Sequence, residues 1–144
     1  MQKTTLSLDD TKDIFFDETA MVGIATALPG YKLCWHLNRV FDYKFIRNAE
    51  SDIELPKNGK VYFFPHYIYE DPSRNLLCRL YHLKSGNQRL LPEIKQFDFL
   101  WAIQSATCNH DALSITKTLK NTNDITHAHI FALDQIKTWK HLMV

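Results

Sequence analysis

Asn58-Gly59 separates two runs rich in β-branched and aromatic residues, "SDIEL" at 51–55 and "KVYFFPHYIYE" at 60–70. Asn-Gly accepts positive φ at both central positions of a two-residue turn, and that turn has the twist paired strands need. The pattern predicts a hairpin and commits this part of the chain to an antiparallel sheet. Pro65 has no N–H to give a ladder, so within the second run it predicts an edge position or a bulge. "NLLCRLYHL" at 75–83 follows across "EDPSR" and extends the hairpin into a meander.

The remaining elements follow from periodicity. "TTLSL" near the start alternates as a half-buried strand does, and "MVGIATA" at 21–27 reads as a more buried one. "GYKLCWHLNRVFD" at 30–42 changes to helical spacing, with Leu33, Leu37, Val40 and Phe41 on its inner stripe and Pro29-Gly30 at its entry. "FDFLWAIQS" at 97–105 predicts a central strand. Period two puts Phe97, Phe99, Trp101 and Ile103 on one face and Asp98, Leu100, Ala102 and Gln104 on the other. Both faces are largely apolar, so both need cover. "NHDALSITKTLKN" reads as a helix with Asn109 as N-cap, Asp111 in the first turn, and Ala112, Ile115 and Leu119 inside. "THAHIFAL" supplies a last strand, which makes residues 97–133 a βαβ unit. The tail, "DQIKTWKHLMV", adds a short helix or an edge segment. The expected fold is α+β: one domain over 1–144, a largely antiparallel sheet of about six strands, and two helices packed mainly on one face. The tail or a second subunit covers the other face.

Charge and motifs exclude several functions. The net charge is +1 and the basic residues are scattered, so the concentrated basic face of a DNA binder is not expected. The start carries no apolar run of signal-peptide length and no segment reaches membrane-spanning length, which predicts a cytoplasmic protein without membrane association. Cys34, Cys78 and Cys108 are odd in number and far apart, so reduced, buried thiols are expected. Neither GxGxxG nor GxxxxGK[ST] occurs, and no cofactor is expected.

"LLPEIKQFDFLW" at 90–101 offers two carboxylates, Glu93 and Asp98. A glycosidase-type pair must converge to roughly 5–10 Å. Five positions apart on a strand, the two would face opposite sides, about 16 Å from each other. On a helix they would diverge by about 140°. They are therefore read as structural, with Pro92 opening a short helical turn and Glu93 at its N-terminal end. Cys34 and His36 on one helix point apart and make no thiol–imidazole pair. His127 and His129 share a strand face and are the best metal pair, but zinc chemistry wants a third protein ligand. His110, Cys108, Asp111 or Asp124 are the available ones, and no spacing demands any of them. His36, His66, His82 and His141 stand alone.

Tyr62, Phe64 and His66 share one strand face; Phe63, Pro65 and Tyr67 share the other. Such a face, with Arg74, Arg79, Lys60 and Lys84 nearby, suits docking of a protein or stacking of single-stranded RNA. Trp35 and Trp139 are read as packing residues or interface anchors.

"LPEIKQFDF" resembles the signature of the IPExxxVDY family, small proteins of Bacteroidetes. Leu91, Pro92 and Glu93 stand at its first three positions, and Phe97, Asp98 and Phe99 at its last three. Leu replaces Ile, Phe replaces Val, and Phe replaces Tyr. "MVGIAT" followed by "YKLCWHLN" is similar to the family's N-terminal half, with Leu33, Trp35, Leu37 and Asn38 at the places of a Leu-x-Trp-x-Leu-Asn pattern. The resemblance implies no activity, cofactor or substrate. Phe99 in place of the signature Tyr implies that this position packs, because the hydroxyl is gone.

The resulting expectation is a non-enzymatic interaction module with no catalytic residues. It binds a protein partner, or a second copy of itself as a homodimer, through Tyr62, Phe64 and Arg79 or through Pro92, Glu93 and Asp98. RNA binding on the same aromatic strands is the first alternative. A metal-dependent or small-molecule enzyme around His127 and His129 is the second.

Overall fold

The computed structural model describes residues 16–142. Its centre is a six-stranded, wholly antiparallel sheet. In chain order the strands are β1 (Thr19–Thr26), β2 (Ile46–Arg47), β5 (His66–Asp71), β6 (Leu76–His82), β9 (Phe99–Gln104) and β10 (Ile125–Phe131). Across the sheet they run β10-β1-β9-β6-β5-β2. Two helices, α1 (Gly30–Phe41) and α2 (Cys108–Lys120), pack on one face. The fold is α+β, as expected. The strand expected in "TTLSL" lies outside the described residues.

The Asn58-Gly59 hairpin forms, with β3 (Ile53–Lys57) paired to β4 (Lys60–Phe64) in register Lys57↔Lys60. Asn58 at φ 52° and Gly59 at φ 79° give the positive pair that a two-residue turn of this hand demands. Pro65, however, does not sit within one long strand. It ends β4 and begins a new direction for β5, so the hairpin is a separate two-stranded sheet. Without an N–H, Pro65 interrupts the ladder, while its carbonyl still accepts from the His82 amide at 2.9 Å. A second small hairpin joins β7 (Lys84–Ser85) to β8 (Gln88–Arg89).

Two apolar cores lie on opposite faces of the sheet. The helix-side core sets Leu33 and Leu37 of α1 and Ala112, Ile115 and Leu119 of α2 against Val22, Trp101 and Ile103. Val40, expected on the inner stripe of α1, is exposed, and Phe41 is partly buried. The second core sets Met21, Tyr81 and Leu100 against the β3–β4 hairpin, the 90–94 loop and the tail. Ile136, Trp139 and Leu142 of the tail are buried there, and the Tyr81 hydroxyl donates to the Leu142 carbonyl at 3.0 Å. The tail therefore covers this face, with Trp139 as a packing residue.

Three local expectations are corrected. Phe97 belongs to the second core, not to the face of Phe99. β9 begins only at Phe99, so period two does not extend back to Phe97. Thr107, not Asn109, occupies the N-cap position of α2; Asp111 reaches back to accept from the hydroxyls of Ser105 at 2.7 Å and Thr107 at 3.0 Å. β9 and β10 do run in the same direction around α2, but β1 lies between them and pairs with both. Strand pairing across the sheet is thus antiparallel throughout.

Candidate functional site

Glu93 and Asp98 take separate structural tasks. Pro92–Ile94 forms a short 3-10 turn with Pro92 exposed at its start. The Glu93 carboxylate accepts from the Thr138 amide at 2.6 Å and the Thr138 hydroxyl at 2.7 Å. Burial alone would raise the Glu93 pKa, but these hydrogen bonds outweigh it and hold the acid below its ordinary value. Asp98 accepts from the Thr26 amide at 2.8 Å and pairs with the Lys84 ammonium. One carboxylate fastens the tail; the other fastens the end of β1 to the β7–β8 hairpin.

The aromatic strands are mostly core. Phe64 is fully buried and Tyr62 packs partly against the second core, so the exposed face expected there does not exist at Phe64. His66 is also fully buried, with its ring stacked on Tyr81 at 4.7 Å between centroids. Burial drives its pKa down to about 4, with the Arg79 charge adding to the shift. Arg79 lines a small cavity of about 210 Å³ with Leu77, Tyr81 and Gln104. Phe63 on β4 is exposed, and Trp35 on α1 is exposed with the Arg39 guanidinium 4.6 Å above its ring.

His127 and His129 stack on the ring of Phe97, at 5.5 and 6.3 Å between centroids. Among the described residues, no three His, Cys, Asp or Glu side chains come together as a metal-binding group. All three cysteines are free and buried. Burial pushes the Cys34 and Cys78 thiols up to about 12, far from the thiolate that a nucleophile needs.

A larger concavity lies elsewhere, between α2 and the sheet edge. It has a volume of about 680 Å³. β10 is the outermost strand there, and among the described residues nothing pairs with its outer edge. One wall comes from Ala128, His129 and Ile130 of β10; the other comes from His110, Leu113, Lys117 and Lys120 of α2. Those four helix positions recur at three- and four-residue spacing, so they form one stripe. Leu113 is 62% exposed, an apolar side chain on the open wall. Thr116 lines the groove as well, and its buried hydroxyl has no hydrogen-bond partner among the described residues. Thr118 and Thr122, by contrast, both donate to the carbonyl four residues back.

This groove is not legible in the local pattern of the sequence. Leu113 fell outside the inner stripe of α2, and the position of β10 at an edge depends on sheet order. The one available sign was β10 itself, seven residues without Pro, Lys, Arg, Asp or Glu. Natural sheet edges are usually blunted by such residues or by short strands. The opposite edge follows that rule, since β2 has two residues.

No family model, curated protein or solved structure matches the chain. No helix among the described residues is long and apolar enough to cross a membrane.

Proposed function

We propose that this protein is a non-enzymatic interaction module that receives an extended polypeptide segment along the outer edge of β10, beside α2. The observation that carries the reading is the seven-residue edge with no strand on its outer side among the described residues, opening onto a groove lined by apolar Leu113 on one wall and Ala128 and Ile130 on the other. An added strand completes the backbone hydrogen bonds of the edge and places alternate side chains in the groove. This moves the docking surface from Tyr62 and Phe64 of the separate β3–β4 hairpin to the β10 edge of the six-stranded sheet. Pro92, Glu93 and Asp98 then act as the brace of the scaffold and not as the contact. The resemblance to the IPExxxVDY family stays part of the proposal, and the signature residues take that bracing role.

The test uses the whole chain and a Leu113→Asp variant, whose changed side chain sits on the exposed wall. A polypeptide recovered with the wild type is purified and mixed back, and amide hydrogen exchange is followed. Slowed exchange along 125–131, lost in the variant, supports the reading. Protection confined to other strands, or binding indifferent to Leu113→Asp, overturns it. Recovery of single-stranded RNA with a steep salt dependence would favour the RNA reading instead.

A further inference from the structure

This inference rests on the groove reading and adds the chemistry of the strand that fills it. We propose that the occupant is an acidic, extended segment of a different protein, its backbone on the edge of β10 and its carboxylates against Lys117 and Lys120.

Charge sets the choice. The side chains lining the groove include Lys117, Lys120 and His110, and no Asp or Glu; the His129 ring lies on the opposite face of β10, against Phe97. The ion pairs among the described residues are Arg47–Asp52 and Lys84–Asp98, so neither groove lysine has an acidic partner there. Both lysines are exposed and stand on the same stripe as Leu113. Along an added strand, side chains facing α2 repeat every second residue, about 7 Å apart. Lys117 and Lys120 are displaced by about 4.5 Å along the helix axis, a mismatch their flexible stems absorb. Leu113 lies about 10 Å further along that axis than Lys120. The complementary segment therefore carries two acidic residues at alternate positions and an apolar residue beyond them, over Leu113.

A second copy fits less well. Antiparallel pairing of β10 with its own equivalent requires a two-fold axis normal to the sheet. That axis keeps both copies of α2 on the same face. Lys117 and Lys120 would then approach their own equivalents with no acidic side chain between them, which is unfavourable. A nucleic acid would offer phosphates, but it has no backbone amides for the strand edge. The walls also hold no Trp, Tyr or Phe on which bases could stack.

The experiment selects phage-displayed random dodecapeptides on the full-length chain, then measures the enriched peptides by fluorescence anisotropy and amide chemical shifts. The expected result is enrichment of Asp or Glu at alternate positions and binding weakened at least tenfold by Lys117→Glu with Lys120→Glu. A peptide with Lys in place of its acidic residues should then recover binding to that charge-reversed protein. The recovery separates charge recognition from a folding defect. Enrichment without acidic residues, or no recovery on charge exchange, overturns this inference. If those peptides still shift resonances of α2 and β10, the groove reading survives without it. Shifts confined to other elements remove both. Sedimentation showing a dimer that Leu113→Asp dissociates would overturn it in favour of a second copy.

Discussion

The Glu93 carboxylate reaches Thr138, 45 residues later, and accepts from both its amide (2.6 Å) and its hydroxyl (2.7 Å). This bond joins the 90–94 loop to the tail that covers the second sheet face. Glu93→Ala leaves the Thr138 amide without its partner and is expected to cost about 1–3 kcal/mol. The Glu93 pKa is lowered in the folded state, so its stabilisation is present above the ordinary glutamate value. It is lost as pH falls through the depressed one. Urea unfolding of wild type and Glu93→Ala at several pH values should give curves that converge at the acid end.

Asp98 makes two bonds of unequal worth. The Lys84 partner is 39% exposed, and such a pair contributes under about 1 kcal/mol. The Thr26 amide bond is part-buried and charge-assisted. Lys84→Ala should therefore shift the urea midpoint little, whereas Asp98→Ala should cost about 2 kcal/mol. Equal losses from the two substitutions would contradict this division.

His66 is buried neutral, its pKa driven down to about 4 from 6.5. The unfolded chain takes up the proton first, so stability is lost as pH falls from 6.5 towards 4. A shift of that size corresponds to roughly 3 kcal/mol. His66→Phe, which keeps a ring against Tyr81, should flatten the stability profile over this interval. Thermal melts from pH 4 to 7 provide the measurement.

Gly23 on β1 lies under two rings. A Cβ there would fall 2.5 Å from Phe131 Cε2 and 2.9 Å from Phe97 Cδ1. Gly23→Ala should destabilise by about 1–3 kcal/mol through overpacking. Combining it with Phe97→Leu should recover part of the loss, giving a non-additive double-mutant cycle.

Thr116 carries a buried hydroxyl without a partner among the described residues. Thr116→Val removes that group at nearly constant shape and should raise stability by about 1 kcal/mol. A melting temperature below the wild type would show that the hydroxyl is satisfied in solution.

The elements with strong local periodicity were legible: the buried residues of "MVGIATA", the Leu33–Leu37 stripe, the Ala112–Ile115–Leu119 stripe and the Asn58-Gly59 turn all took their expected forms. The failures sit where periodicity stops. Phe97 lies two residues before its strand and faces the other core, and Pro65 turns a single aromatic run into two strands of different sheets. The pattern of the aromatic stretch 60–70 shows which side chains share a face, not what covers that face, so it left a docking surface at Tyr62 and Phe64 open.

By itself, the order of residues determined that this chain builds antiparallel strands and two amphipathic helices, because turn conformation and side-chain period are local properties of the backbone. It also indicated that Glu93 and Asp98 diverge on any continuous strand or helix. Only the tertiary structure decided that β10 lies at an edge with α2 beside it, that the tail closes the second face, and that Phe64 is hidden. Those outcomes depend on strand order and on contacts between segments far apart in the chain, which no local spacing encodes.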